Sequence, residues 1–401
     1  RRSRIHRAGE CRHWVAGSSG RRVAVGRAMV ADEARQLPGR GRKAVCPFEV
    51  SERAPLSHGA VNYRLEGPEG GAIVVCLHGL NASLASFGVL GAALIARGFR
   101  VLTYDLYGFG LSAVPGGRLN PDLYVKQLQE LLDFVQQQER GPNGGVALSP
   151  VHIVGYCLGG IVATEFALRH PDRVGRLLLI APCGFAPRSE APCQPLLFGC
   201  LRRRCRGSLF LGLVRCLAWC CQLPARYYLR GKELDSFVPD VRDPDSEQFR
   251  AYARKNTERY AWALPRSLNS CLRGLRDMPI WREDFAGTYE RLAASQVPVF
   301  FMWGDDDGVV PFSEAKDLLI DIFGPKGSSC ILLADAGHGL ILEEEDVAEV
   351  SACATNWFTG SQDPSWLQCL DTWSLSKQAD DVSNGGDKAE PQPAVVGPSA
   401  V

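Results

Sequence analysis

Neither sign of charge is in excess in this chain of 401 residues: 45 Lys and Arg stand against 44 Asp and Glu, a formal charge of +1. Such a balance supplies no global field for nucleic acid or an acidic partner. A long hydrophobic run is missing too. The most apolar stretch, residues 208–224, is broken by Arg215 and falls short of the roughly 20 residues a spanning helix needs. Histidine is scarce, at seven residues. The cysteine-rich segment holding Cys200, Cys205, Cys216, Cys220 and Cys221 contains no histidine and no pair of cysteines two residues apart. A zinc site is therefore not expected there, and no metal or cofactor is expected elsewhere. No secretory signal precedes the fifteen cysteines, an odd number. Most are expected as reduced thiols in an intracellular setting, cytoplasmic rather than organellar.

What is present is the material of a globular fold, with 46% hydrophobic and 22% charged residues. The ends differ from the middle. Residues 1–27 are rich in Arg, Gly and Ser with Glu10 as the only acid. They read either as an organellar transit peptide or, preferably, as a non-native extension ahead of Met29. Residues 1–45 and 374–401 are both expected to be disordered, since neither carries apolar periodicity.

Between these ends, apolar strand-like runs alternate with amphipathic helices, which predicts a mostly parallel sheet flanked by helices. Strands are expected at 72–77, 101–105, 151–154, 177–181, 297–303 and 330–333, with weaker antiparallel ones at 48–50 and 61–66. Helices are expected at 87–97, Pro121–Glu139 and 346–358. Asn120 caps the second of these, Pro121 takes its first position, and Leu128, Leu131, Leu132 and Val135 share one face. The alternation stops over 183–296, too long for a connection, so an inserted helical subdomain is expected there. The core is thus 46–182 plus 297–360.

The chemistry gathers at Gly155-Tyr156-Cys157-Leu158-Gly159-Gly160, a sharp Gly-x-Cys-x-Gly turn between a predicted strand and a predicted helix. Small flanking residues let strand and helix pass, and the helix N-terminus favours a thiolate and a developing oxyanion. Further on, Trp303-Gly304-Asp305-Asp306-Asp307 leaves a strand at an acid-rich turn, and Ala336-Gly337-His338-Gly339 follows the last strand. His338 is the only histidine after His170. It is therefore the sole candidate base in the carboxyl-terminal half.

Cysteine, acid, histidine in that order resembles the α/β-hydrolase superfamily, over residues from about 60 to 358. His78-Gly79-Leu80 resembles its His-Gly turn after the third strand, and Asp105-Leu106-Tyr107-Gly108-Phe109-Gly110-Leu111-Ser112 resembles its D-x-x-G-x-G-x-S turn. The resemblance implies an α/β-hydrolase fold with an inserted helical cap. It implies Cys157 as nucleophile, His338 as base, and Asp307, three residues beyond the Trp-Gly pair, as the orienting acid. It also implies the N–H groups of Leu80 and Leu158 as oxyanion donors. Most members carry serine at the elbow; a cysteine there is similar to dienelactone hydrolases and polyhydroxyalkanoate synthases. The overall layout is closer to monoacylglycerol-lipase-like and esterase-like members.

Three functions stay open at this level. The first is hydrolysis of a carboxylic ester or thioester with an apolar acyl chain, through an acyl-cysteine. The second is acyl transfer or polyester synthesis through the same intermediate, and the third is a non-catalytic ligand-binding fold. His78, Asp105, Asp305 and Asp306 are expected to shape turns or face solvent. In the insert, Arg202, Arg203, Arg204 and Arg206 precede an apolar run that includes Leu213, Leu217 and Trp219. This reads as a lid over the acyl pocket or as a peripheral membrane contact with lipidated cysteines. The expected partner is a small acyl substrate and not nucleic acid; oligomeric state is not legible.

Overall fold

The computed structural model describes residues 51–139, 150–188, 241, 243, 245–324, 329–360 and 372–374. The segments expected at 1–45, 48–50, 200–224 and beyond 374 lie outside the described residues.

The chain opens on a hairpin of β1 (Glu52–Leu56) and β2 (Gly59–Glu66), then forms β3 (Ile73–Leu77), α1 (Gly88–Ala96), β4 (Arg100–Tyr104), α2 (Pro121–Glu139), β5 (Val151–Tyr156), α3 (Leu158–Arg169) and β6 (Val174–Ile180). Helices α4 (Glu247–Trp262), α5 (Leu264–Asp277) and α6 (Arg282–Ala294) follow, all within the expected insert. Then come β7 (Val299–Gly304), α7 (Phe312–Phe323), β8 (Ser329–Leu333), α8 (Glu344–Thr359) and β9 (Thr372–Ser374). The strands form one sheet in the order β1-β2-β4-β3-β5-β6-β7-β8-β9. Strands β4, β3, β5, β6, β7 and β8 run parallel, whereas β1, β2 and β9 pair antiparallel at the two margins.

The alternation of side chains along each central strand divides the core in two. Val75, Leu77, Ile153, Leu177, Leu179, Phe301 and Trp303 face the helices α2, α3, α6 and α7. Their neighbours Val74, Cys76, Val154, Leu178, Ile180, Phe300 and Met302 face α1 and α8. Both faces are covered, so the strands read as unbroken apolar runs. Helix α2 starts as expected: the Asn120 side chain accepts the Leu123 N–H at 3.2 Å, and Leu128, Leu131, Leu132 and Val135 are buried.

Three elements were not foreseen. Strand β1 lies at Glu52–Leu56, and Pro55 weakens its signal; an edge strand tolerates proline because only one side needs its N–H groups. Helix α7 buries Phe312, Ala315, Leu319, Ile320 and Phe323 along one side. Strand β9 has only three residues and pairs with β8 outside the expected core.

Candidate active site

The order of the sheet locates a crevice before any side chain is considered. After β3 the chain moves to β4 on one side; after β5 it moves to β6 on the other. The carboxyl ends of adjacent strands β3 and β5 therefore flank a reversal of winding, where open α/β sheets form ligand crevices. His78-Gly79-Leu80 leaves the first of these ends and Cys157 the second.

At Cys157 the backbone has φ 52° and ψ −118°, a left-handed conformation that costs on the order of 1–3 kcal/mol and that packing must hold in place. Close approach explains the glycines around it. A Cβ on Gly159 would sit 2.1 Å from the Leu77 carbonyl oxygen, and one on Gly155 2.8 Å from both Ala163 Cβ and Gly160 Cα. Helix α3 thus lies directly against β3 and β5. Its first residue, Leu158, sets its N–H where it favours the Cys157 thiolate. The His-Gly turn closes the other side, where a Cβ on Gly79 would meet Cys157 Cβ at 3.1 Å and Sγ at 3.5 Å. Leu80 follows directly and packs near Gly274 of α5.

His338 and Asp307 lie at the elbow as a hydrogen-bonded pair. His338 Nδ1 lies 2.8 Å from Asp307 Oδ2, and the imidazole interacts with the Cys157 sulfur. The remaining oxygen of Asp307 accepts the N–H groups of Val309 at 2.9 Å and Val310 at 2.7 Å. Trp303 Nε1 donates to the Val310 carbonyl at 2.8 Å, which ties this turn back to β7. Asp305 and Asp306 are exposed, while Asp307 is only 4% exposed. The structure therefore brings together Cys157, His338 and Asp307, with Asp307 the carboxylate at the imidazole.

Electrostatics follow from these contacts. A hydrogen bond from Cys183 is the largest influence holding the Cys157 thiol well below its ordinary value; burial opposes it, and the charge and hydrogen bond of His338 and the Leu158 N–H add to it. Burial alone would lower His338, but the Asp307 and Cys157 charges, with its polar contacts to both, raise it to about 10. Each of the two groups thus favours the charged form of the other.

The turn-shaping residues behave as expected. Leu106 N–H donates to His78 Nε2 at 3.0 Å, and His78 Nδ1 lies 2.8 Å from the Gly79 carbonyl, so both ring nitrogens are satisfied. Burial holds this imidazole neutral. The Asp105 carboxylate accepts from Asn62 Nδ2, Leu84 N–H and Leu111 N–H at 2.8–2.9 Å. Gly110 must be glycine, because at φ +50° its Cβ would fall 2.1 Å from this carboxylate.

Two residues of the site were missed. Cys183 places its sulfur 3.6 Å from that of Cys157; its position just beyond β6, on the same sheet edge as the elbow, was the available signal. Tyr156 donates its hydroxyl to the His338 carbonyl at 2.8 Å, and its ring packs 5.0 Å from the imidazole. It precedes Cys157 at a turn position that is free to vary, so the motif does not mark it.

The helices of the insert sit over this edge. Tyr252 of α4 hydrogen-bonds Ser86 at 3.2 Å. Arg273 of α5 donates to the carbonyls of Pro115 and Gly117 at 2.9 and 2.6 Å, and Asp277 accepts the Leu119 N–H at 3.0 Å. A small polar recess beside the His-Gly turn is lined by Asn81, Ser83, Asn256, Arg259 and Ser267 among others. Among the described residues no group of three or more His, Cys, Asp or Glu side chains is placed to share a metal ion. No helix among them is long and apolar enough to cross a membrane.

Comparison with known proteins agrees with this architecture. A 2-hydroxy-6-oxononadienedioate/2-hydroxy-6-oxononatrienedioate hydrolase of Pseudomonas putida is 28% identical over 276 residues, covering 67% of this chain and 82% of that protein. A probable 1-acylglycerol-3-phosphate O-acyltransferase of Oryza sativa subsp. japonica is 32% identical over 147 residues, 36% of this chain. That match spans only 32% of the rice protein's length. Among solved structures, a thermophilic esterase from Thermogutta terrifontis superposes with a TM-score of 0.55 at 19% identity, over 77% of this chain and 99% of that one. The profile of the alpha/beta hydrolase family matches residues 74–352. With well over half of its length matched, this chain belongs to the alpha/beta hydrolase family.

Proposed function

We propose that the protein hydrolyses a carboxylic ester or thioester of a small molecule through an acyl-cysteine on Cys157. The observation that carries this reading is the placement of His338 at the Cys157 sulfur, with its imidazole held 2.8 Å from Asp307 through Nδ1. The thiolate attacks the acyl carbonyl, and the oxyanion is held by the N–H groups of Leu158 and Leu80. A single such donor contributes about 3–4 kcal/mol of transition-state stabilisation in serine hydrolases. As the tetrahedral intermediate collapses, the His338 imidazolium gives its proton to the leaving oxygen or sulfur, which leaves a thioester on Cys157. The neutral imidazole then takes a proton from water, which attacks the thioester, and the acid leaves as Cys157 returns to thiolate. Asp307 keeps Nδ1 protonated and aimed, so that Nε2 does the proton transfer.

The strained elbow at Cys157 and the interactions that lower its thiol support a catalytic reading over a non-catalytic fold. Residues 183–296 serve in this reading as the cap that covers the acyl chain. Acyl transfer to a hydroxyl is the second reading. It is favoured by the relatives from Oryza sativa and Arabidopsis thaliana that carry the name 1-acylglycerol-3-phosphate O-acyltransferase. The two readings divide on one assay: p-nitrophenyl esters of graded chain length, with and without an alcohol acceptor. Hydrolysis predicts free acid at a rate that the acceptor leaves unchanged. Ester of the added alcohol as the main product would favour transfer, and no turnover of any ester would remove both.

A further inference from the structure

The site contains a second nucleophilic group that forms no bond to the substrate in the reaction above. Cys183 follows β6 and is partly buried, with its sulfur 3.6 Å from that of Cys157. Its backbone is held from both sides: its N–H donates to the Cys157 carbonyl at 3.1 Å, and its carbonyl accepts the Tyr289 hydroxyl at 2.6 Å. The sulfur is therefore not at Cys157 by a chance rotamer of a loose loop. Neither sulfur is in a disulfide.

Other candidates carry less. The polar recess beside Asn81 is lined by side chains from the insert that are already engaged, such as Arg259. The neutral His152 is stacked 4.7 Å from Phe358, a core contact. The thiols of Cys76 and Cys330 are buried inside strands of the sheet.

We infer that Cys157 and Cys183 form a hydroperoxide-reactive pair, in which Cys157 is oxidised and Cys183 converts the product to a reversible disulfide. The chemistry balances with a hydroperoxide as the only added reagent. The Cys157 thiolate attacks the distal peroxide oxygen; an S–O bond forms and the O–O bond breaks. Cys157 loses two electrons to the peroxide, and the departing alkoxide or hydroxide takes the proton of His338. Cys157 is then a sulfenic acid. The Cys183 sulfur attacks it, forming the S–S bond and breaking the S–O bond. The Cys183 proton leaves with the sulfenic hydroxyl as water. The net result is two thiols and one hydroperoxide giving one disulfide, one alcohol or water, and one further water.

Geometry supports each step. A thiolate is the form that peroxides oxidise, and the interactions that favour it are those of the elbow itself. A disulfide needs the two sulfurs at about 2.05 Å, so closure requires a movement of about 1.5 Å, within reach of side-chain rotation. A second thiol at this distance intercepts the sulfenic acid before further peroxide carries it to sulfinic acid, which is irreversible for most proteins. The disulfide occupies the Cys157 sulfur and so blocks acyl chemistry until a thiol reduces it. The pairing needs Cys157 to be reactive but does not need any ester to be its substrate.

Peroxide treatment of the reduced full chain, followed by alkylation of remaining thiols and peptide mass mapping, tests this. The expected product has lost about 2 Da, with one peptide pair joined through Cys157 and Cys183, and dithiothreitol restores alkylation of both. In Cys183→Ser, the same dose is expected to drive Cys157 to a form about 32 Da heavier that dithiothreitol does not reverse. The inference is overturned if wild type gives the heavier form without the link, if the link joins other cysteines, or if Cys157 stays reduced. Wild type that forms the link yet hydrolyses no ester would keep this inference and remove the hydrolase reading.

Discussion

The sheet carries cysteine in two places with opposite chemistry: inside its strands, at Cys76 and Cys330, and at its carboxyl edge, at Cys157. Cys76 lies in β3, beside the strand that delivers Cys157, and all three residues are buried. Burial pushes the thiols of Cys76 and Cys330 far above the ordinary range and nothing opposes it. Burial acts on Cys157 in the same direction, yet there the thiol ends well below its ordinary value. The difference is the supply of donors. Inside the sheet, backbone N–H groups are spent on the ladder between strands. At the edge, the first N–H groups of α3 have no helical partner, and loops bring His338 and Cys183 alongside. Position relative to the strand ends, not burial, decides which cysteine can react.

The largest expected effect breaks or confirms this contrast directly. Cys157→Ala should reduce turnover by at least about a thousandfold, because the reacting atom itself is removed. Cys76→Ala should leave turnover within about twofold and cost on the order of 1–2 kcal/mol of stability from the small cavity it opens. Iodoacetamide gives the finer measurement. The lowered Cys157 value means the thiolate persists to lower pH than in an ordinary thiol, and is lost only when pH falls through that value. The raised His338 value means the imidazolium persists until pH rises through about 10. Between these limits the alkylation rate of Cys157 should be flat, whereas an ordinary thiol loses about tenfold per pH unit below ~8.5. A tenfold-per-unit slope at Cys157 across neutral pH would erase the distinction between the two regions.

Next in size is the carboxylate. Asp307→Asn removes both the charge beside His338 and the acceptor that orients it, so kcat should fall by about 10²–10⁴, by analogy with triad acids. The same substitution should move the alkaline edge of the alkylation plateau to lower pH, because the Asp307 charge is the largest influence raising His338. Asp305→Asn alters an exposed residue whose side chain accepts the Ala336 N–H at 3.3 Å, and should cost less than about tenfold. Equal losses at the two positions would move the catalytic carboxylate, and with it the boundary of the reactive edge.

How much of this was legible in the sequence follows the same division. Residues whose role is imposed by backbone geometry could be read. The glycines around Cys157 mark a turn that no larger residue fits, and the resemblance to the family, not the local sequence, selected Asp307 in the turn leaving β7. Helix α2 was readable at both ends because Asn120 and Pro121 announce its start. Residues whose role depends on which strand ends come together carry only a weak signal in the sequence. Cys183 is one cysteine among fifteen, and only the adjacency of β5 and β6 brings it to Cys157. Strand β9 is too short for its alternation to register, and β1 contains a proline that argues against a strand until its edge position is known.

Tyr156 lies where the two regions meet, and it offers the smallest and sharpest test. It is the last residue of β5, with its backbone in the ladder to β6 and its hydroxyl on the His338 carbonyl at 2.8 Å. Tyr156→Phe keeps the ring packed against the imidazole and removes only that donor. A buried carbonyl left without its partner costs about 1–3 kcal/mol, so the melting temperature should drop by a few degrees. His338 stays tethered to Asp307 through Nδ1, so kcat should fall only about two- to tenfold with KM unchanged. The pH limits of Cys157 alkylation should not move, because the hydroxyl is neutral and lends the pair no charge. A loss of the size expected for Asp307→Asn, or a change confined to KM, would mean that the Tyr156 hydroxyl meets the substrate. The reactive edge would then extend one residue back into the strand.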